Sequence, residues 1–304
     1  MNIERGNEPA GSKIIAFPGN QIQIVLLPKV LGKGQYGSVH LGYARGRPDR
    51  VYAIKVVEQK RLKGRSRELI INEISIMQEI QSENVAGLMH ATKTKSNYYL
   101  VMQHCNGGDL QHFIRARGGY LSEAEAKMIL RQIVNGLLAI KDQNVMHRDL
   151  KLANILVNFP GLAKEEWDQP EFSLKDYISE VKLLGQESTE VQVKIADLGF
   201  ARRLKDGDLA STRLGTPLIM APEVLDGNQY DHKADVWSLG CIFYELLVGF
   251  SVFTGTSQAN LAENITRGIY FFPKTCKLSI TGLSFMNACL QYHYNERMSL
   301  QDLA

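Results

Sequence analysis

The spacing of apolar residues changes once along this chain, near residue 103, and that change limits what it can fold into. Ahead of it the period is two. Ile22, Ile24 and Leu26 alternate with other residues, and β-branched and aromatic residues then surround a group of glycines. Val51-Tyr52-Ala53-Ile54-Lys55-Val56-Val57 reads as a buried strand, and residues 98–103 (Tyr-Tyr-Leu-Val-Met-Gln) read as another before Asn106-Gly107-Gly108 breaks it. A basic stretch, Lys60 to Arg67, leads to one helix with apolar positions at Ile70, Ile74 and Met77. Past residue 103 the period is helical. Ser122 with Glu125 three residues on is a capping-box start, followed by Ile129, Ile133, Leu137 and Ile140. Residues 235–248 are apolar nearly all round, as in a helix buried in a core.

The expectation is an α+β chain: a loose polar arm over 1–21, a small β-rich lobe over 22–103 and a larger helical lobe over 104–304, with a ligand in a cleft between the lobes. With 304 residues, 44% of them hydrophobic, a large core is within reach. A net charge of +3 asks for neither nucleic acid nor an anionic membrane as partner. No apolar run approaches the ~18 residues of a transmembrane segment. Ile14-Ile15-Ala16-Phe17 is too short for a signal peptide and ends in Pro18-Gly19. Cys105, Cys241, Cys276 and Cys289 lack zinc-site spacing, so reduced thiols in a cytoplasmic protein are expected.

The chemistry is concentrated in His147-Arg148-Asp149-Leu150-Lys151-Leu152-Ala153-Asn154. Asp149 is placed to orient an attacking hydroxyl and accept its proton, Lys151 to neutralise a transferring phosphate, and Asn154 to offer a hard amide oxygen to Mg²⁺. Upstream lies Gly32-Lys33-Gly34-Gln35-Tyr36-Gly37-Ser38-Val39. A dinucleotide-binding turn would open a helix, whereas Val39-His40-Leu41-Gly42-Tyr43 continues as strand, so the glycines fit a β-hairpin laid over phosphates. Lys55 lies inside an apolar strand and needs a partner to be buried there.

These elements, with Asp197-Leu198-Gly199 and Ala221-Pro222-Glu223 downstream, stand in the order of the protein-kinase signature set. Over about residues 24–304 the chain resembles eukaryotic-type serine/threonine protein kinases. The resemblance implies the two-lobed kinase fold, ATP and Mg²⁺ as cofactors, and a protein as substrate. It supplies Glu73 as the partner of Lys55, preferred over Glu68 and Glu79, and implies that Asp197 joins Asn154 on the metal. It places Leu31, Gly32, Gly34, Gly37, Val39, Ala53, Lys55 and Leu156 about the nucleotide, with Met102 as gatekeeper. Gln103 and Cys105 would supply hinge backbone hydrogen bonds, and Asp109 would meet the ribose. Met77, Leu88, His147 and Leu198 would form a stacked spine, with Leu198 where the family usually has Phe, a departure that bears on the inactive state. Asp235 would brace the backbone of His147 and Arg148, and Glu223 would pair with Arg297. Arg148 would receive a phosphate on Thr212, with Ser211 as the alternate acceptor.

Lys151 and Gly215-Thr216-Pro217 are similar to serine/threonine kinases, Phe200 to those that favour serine, and Ala153 gives no support for an arginine-directed preference. Residues 105–110, 195–202 and 220–223 look most like the autophagy-initiating kinases of the uncoordinated-51 group, with the calcium/calmodulin-dependent group second. One feature departs from the family. Asp197 follows Asn154 by 43 positions, where relatives have roughly a dozen. The extra segment, 159–190, has eight acidic and three basic residues. It reads as a loop between two short strands, carrying an amphipathic helix from Ser173 to a stop at Gly185 on the hinge-distal side of the cleft. It would be either a docking surface for a partner or for the arm, or an insertion packing its own apolar face. The chain stops at Asp302-Leu303-Ala304, just inside what resembles the family's last helix. A catalytically inert scaffold and a small-molecule phosphotransferase are the competing readings; Lys55, Glu73, Asp149, Asn154 and Asp197 together speak against the first, and Ala221-Pro222-Glu223 against the second.

Overall fold

A computed structural model describes residues 8–17, 22–34, 36–64, 66–204, 210, 217–274 and 276–303. The chain divides into two compact units, Met1–Glu79 with Ala86–Cys105, and Ile80–Val85 with Asn106–Ala304.

The first unit is a sheet and one helix. Strands β1 (Lys13–Phe17), β2 (Ile22–Gly34), β3 (Gly37–Ala44) and β4 (Arg47–Glu58) precede helix α1 (Ser66–Glu79), and β5 (Leu88–Lys93) and β6 (Asn97–Gln103) follow it. All pairings are antiparallel, in the order β1-β2-β3-β4-β6-β5. Pro28 has no N–H to give the ladder, and the β2–β3 register shifts between Leu26 and Val30.

Strand β1 corrects the expected loose arm. Its Lys13–Phe17 pairs with Leu26–Ile22, burying Ile15 and Phe17. These two side chains join Ile24, Leu26, Ile54 and Val101 in one apolar cluster. The Phe17 ring lies 5.6 Å from that of His90 on β5, so the sheet curls until its first and last strands meet across that cluster. Ile15 and Phe17 alternate with exposed Ile14, a period-two signal too short to stand out beside Pro18-Gly19. Ahead of the strand, Glu8 accepts a hydrogen bond from the Tyr43 hydroxyl at 2.5 Å and pairs with Arg45 at 3.4 Å.

The second unit opens with α2 (Leu110–Ala116) and α3 (Glu123–Lys141), the latter begun by the expected capping box of Ser122 and Glu125. Ile129, Ile133, Leu137 and Ile140 are all buried. Then come β7 (Val145–Met146), β8 (Ile155–Asn158), α4 (Lys164–Trp167), α5 (Leu174–Glu180), β9 (Gln192–Ile195), β10 (Arg202–Arg203), α6 (Pro222–Leu225), α7 (Lys233–Val248), α8 (Gln258–Arg267) and α9 (Ile280–Cys289). β8 pairs with β9 and β7 with β10, both antiparallel. Helix α7 is buried around nearly its whole circumference, as its composition predicts. Glu223 receives both terminal nitrogens of Arg297, at 2.6 and 2.9 Å, in a buried pair that ties residues 74 apart. Among the described residues no helix is long and apolar enough to cross a membrane, and the four cysteines are free thiols.

The segment 159–190 does join two paired strands, but two details differ from expectation. Ser173 caps α5, yet the helix stops at Glu180 rather than near Gly185, because Val181 leaves helical geometry and Arg117 donates to the carbonyls of Ile178 and Val181. Nor is it hinge-distal. Asn106, next to the predicted hinge, bonds with its side chain to the backbone of Phe159 and Leu162, and the Phe159 ring lies between Phe113 of α2 and Tyr177 of α5. The apolar face is spent on the unit itself: Phe159, Leu162, Ile178, Val181 and Leu183 are buried.

Truncating Phe17 to alanine should destabilise the chain by about 3 kcal/mol, the usual loss for a buried aromatic ring, while Ile14→Ala should stay within about 0.5 kcal/mol. Denaturant melts of both variants check this; equal effects would mean that β1 does not belong to the core.

Candidate active site

The loop between β7 and β8 has little regular structure, so side chains fix it. The Asp235 carboxylate, buried at the start of α7, accepts the backbone N–H of His147 at 2.9 Å and of Arg148 at 3.0 Å. This holds Arg148 at φ +67°, a left-handed backbone unusual outside glycine. The Arg148 Nε then donates to the Phe200 carbonyl at 2.7 Å. His147 is wholly buried with both ring nitrogens engaged: Nε2 lies 3.0 Å from the Ala196 carbonyl oxygen, and Nδ1 faces the Asp149 N–H at 3.3 Å. A carbonyl accepts and an N–H donates, so the ring is the neutral tautomer with its proton on Nε2.

His147 therefore joins the two acidic residues of the site through backbone. Asp149 is buried, and its Oδ2 accepts from Lys151 Nζ at 2.7 Å and from Asn154 Nδ2 at 3.0 Å. The same Asn154 nitrogen donates to the Asp149 carbonyl at 2.8 Å. With its nitrogen so used, the amide oxygen is the donor that Asn154 has to offer a cation. Asp197 is brought to this edge by the β8–β9 ladder, which continues as Ala196 N–H to the Asn154 carbonyl at 2.8 Å. It is exposed and left-handed, at φ +60°. Two of the three positive-φ non-glycine residues among those described thus sit here, where strain of about 1–3 kcal/mol each is tolerated only if the surroundings enforce it. An amide oxygen plus a carboxylate suits a small hard cation that takes its remaining ligands from phosphate and water. Among the described residues no cluster of three or more His, Cys, Asp or Glu forms a closed cage for a metal.

In the first unit, Lys55 Nζ meets Glu73 Oε1 at 2.5 Å, which selects Glu73 over Glu68 and Glu79. The Glu73 side chain is only 2% exposed, so breaking this buried pair by loss of Lys55 should cost about 3–5 kcal/mol. Register puts Val39 opposite Lys55, Leu41 opposite Ala53, Lys55 opposite Leu100 and Ala53 opposite Met102. Cross-strand partners share a face, so Val39, Ala53, Lys55 and Met102 lie together on the side opposite Ile54 and Val101. Gln103 donates its N–H to the Gly87 carbonyl at 3.1 Å and pairs with Tyr52. Between Gln103 and Cys105, burial and the nearby Lys29 charge push the His104 imidazole down to about 4, so it is neutral throughout the physiological range.

The glycines separate into two kinds. A Cβ on Gly37 would overlap the Val56 carbonyl oxygen, so the strand packing itself demands glycine there. At Gly32 a Cβ would meet nothing within 4 Å, and at Gly34 only the Gly37 carbonyl at 4.0 Å. Packing among the described residues asks for glycine at neither position. Leu31 beside them is exposed.

Asp109, expected at a ribose, spends Oδ1 on the His112 N–H at 2.7 Å as the N-cap of α2, and its backbone bridges to Leu156 on β8. Of the expected spine, Met77 is buried and Leu88 half-buried in the first unit, while His147 and Leu198 are buried in the second. Thr212 and Ser211 lie outside the described residues. The bridging role of His147 escaped the sequence reading; the signal for it was a histidine two residues before the acid, flanked by buried Val145 and Met146.

Residues 27–304 match the protein kinase domain. The chain is 33% identical over 289 residues to the serine/threonine-protein kinase ATG1c of Arabidopsis thaliana, covering 94% of this chain and 35% of that protein. It is 36% identical over 235 residues to the serine/threonine-protein kinase unc-51 of Caenorhabditis elegans, covering 76% and 25%. To the serine/threonine-protein kinase ULK1 of Homo sapiens it is 31% identical over 274 residues, covering 90% and 24%. It thus spans about a quarter to a third of the length of these relatives.

Gly37→Ala should lower the melting temperature by several degrees, since backbone must move. Gly32→Ala should leave stability within about 0.5 kcal/mol and weaken binding of an ATP analogue. Calorimetric melts and a nucleotide titration separate the two, and a stable Gly37→Ala would overturn the assignment.

Proposed function

This chain belongs to the protein kinase family, and we infer that it is an ATP-dependent serine/threonine kinase acting on proteins. Its β-rich and helical units are the two lobes of the α+β kinase fold. The observation that carries the inference is the buried Asp149 carboxylate held by Lys151 and Asn154, with Asp197 on the adjoining strand end.

A substrate hydroxyl approaching Asp149 gives up its proton to the carboxylate as its oxygen bonds to the γ-phosphorus of ATP. The bond from that phosphorus to the bridging oxygen breaks, and ADP leaves with the electron pair. Lys151 keeps Asp149 oriented and offers positive charge to the transferring group. Lys55, itself held by Glu73, serves the α and β phosphates. The turn at Gly32, Gly34 and Gly37 admits the phosphates to close backbone approach, with Leu31, Val39, Ala53 and Leu156 around the base, Met102 as gatekeeper, and Gln103 and Cys105 at its edge. The family uses ATP with a divalent metal; here Mg²⁺ is the ion of choice, Asn154 and Asp197 would hold it, and it would neutralise phosphate charge.

Thr212, with Ser211 as the alternate, is the proposed activating phosphoacceptor, whose phosphate would pair with Arg148. A cytoplasmic role in initiating autophagy is the pathway that likeness to ATG1c and unc-51 supports. The docking role considered for residues 159–190 narrows to their charge, since Glu165, Glu171, Asp176 and Glu180 face outward while the apolar side chains face in.

Transfer of labelled γ-phosphate from Mg·ATP to a generic protein substrate should be lost, by at least about a thousandfold, in Asp149→Ala with nucleotide binding intact. Undiminished transfer would remove Asp149 as the base. A positional peptide library should favour serine over threonine without selecting arginine three residues upstream, and strong selection of that arginine would overturn the specificity reading.

A further inference from the structure

Tyr36 stands between Gly34 and Gly37, where β2 turns into β3. Its carbonyl accepts the Glu58 N–H at 3.1 Å, which ties the turn to the end of β4. From there the side chain reaches α1: the Ser66 hydroxyl donates to the Tyr36 hydroxyl at 3.2 Å, across 30 positions of sequence. Both residues are half-buried. Ser66 is the first residue of α1, and Glu73 follows two turns later on the same face, about 10 Å along the axis. The helix is thus joined to the sheet at two points of one face, at its middle by Glu73 to Lys55 on β4 and at its start by Ser66 to Tyr36 in the glycine turn.

The first joint holds the phosphate-binding lysine. The second holds the turn whose Gly32 and Gly34 have no packing reason to be glycine. A phenylalanine at residue 36 would fill nearly the same space, so among the described residues the tyrosine hydroxyl adds the link to Ser66. We propose that Tyr36 is a positioning residue: through Ser66 it couples the glycine turn to α1, so that the turn's amides and the Lys55–Glu73 pair are set for nucleotide together. The nucleotide part of this rests on the kinase reading; the mechanical coupling does not.

The test is amide hydrogen exchange on the full chain without nucleotide, comparing wild type, Y36F, S66A, S66T and the Y36F/S66A double variant. Y36F should speed exchange at Gly37 and Ser38 and also across the first two turns of α1, S66A should do the same, and the double variant should go no further than either. S66T, which keeps the hydroxyl, should stay near wild type. In parallel, KM for Mg·ATP should rise roughly three- to tenfold in Y36F, the worth of one hydrogen bond, with a smaller change in kcat. Unchanged exchange in α1 of Y36F, or additive effects in the double variant, would overturn the coupling. Coupled exchange in a wild-type chain that transfers no phosphate would sustain the link and count against the kinase reading alone.

Discussion

A loop that must present an acid, a lysine and an amide at fixed positions cannot rely on a hydrogen-bond ladder, and here its shape depends on one buried carboxylate. Asp235 accepts two successive backbone N–H groups, those of His147 and Arg148. Charge-assisted bonds of this kind are about twice as strong as neutral ones, enough to hold the left-handed Arg148. Once Arg148 turns, His147 is directed inward and its ring is fixed from both sides by Ala196 and Asp149. Asp149 and the strand end that carries Asp197 are thereby linked through backbone, by the Asp149 N–H and the Ala196 carbonyl. The carboxylate sits on α7, a helix buried around nearly its whole circumference, so a closely packed element anchors an irregular one.

The first unit solves a different problem, how to keep a lysine on an apolar sheet without losing its charge. Lys55 alternates between Ile54 and Val56, which belong to the inner apolar face, so its own side chain emerges on the other face with Val39, Ala53 and Met102. There the nearly inaccessible Glu73 meets it. Neither charge is stable there alone, and their pairing specifies where α1 must lie against the sheet.

Much of this was legible in sequence because it depends on short spacings with a local cause. The Ser122–Glu125 box, the strand about Lys55 and the buried α7 each follow from periodicity or capping within a few residues. The Glu223–Arg297 pair spans 74 positions and was legible only through the kinase resemblance, as was the choice of Glu73 over its neighbours. What escaped depends on tertiary partners. Lys13–Phe17 carries too weak an alternation to declare itself, and it becomes a strand because β2 offers an open edge and the cluster around Ile54 offers burial. The cap that Asp109 gives α2 through Oδ1 was passed over as well, although a carboxylate just ahead of a helix has that use locally. The end of α5 moved because Arg117, some 60 residues away, satisfies its last carbonyls.

The segment 159–190 shows why a long insertion is tolerated at one place in this fold. Its ends are fixed by β8 and β9, which pair regardless of what joins them, and lengthening a closed loop costs only about 0.6 kcal/mol per doubling. Ordering the added backbone is the larger cost, and Phe159, Leu162, Ile178, Val181 and Leu183 offset it by burying side chains worth about 1.5–3 kcal/mol each. They find that burial against α2 and the Asn106–Gly108 turn. Gly107 donates to the Val157 carbonyl, Gly108 accepts from Val157, and a Cβ on Gly107 would collide with Phe159. The insertion and the turn that leads to Asp109 therefore form one packed body. A substitution that loosens Phe159 must also loosen that turn, so the added segment is coupled by packing to the N-cap of α2 before any partner is considered.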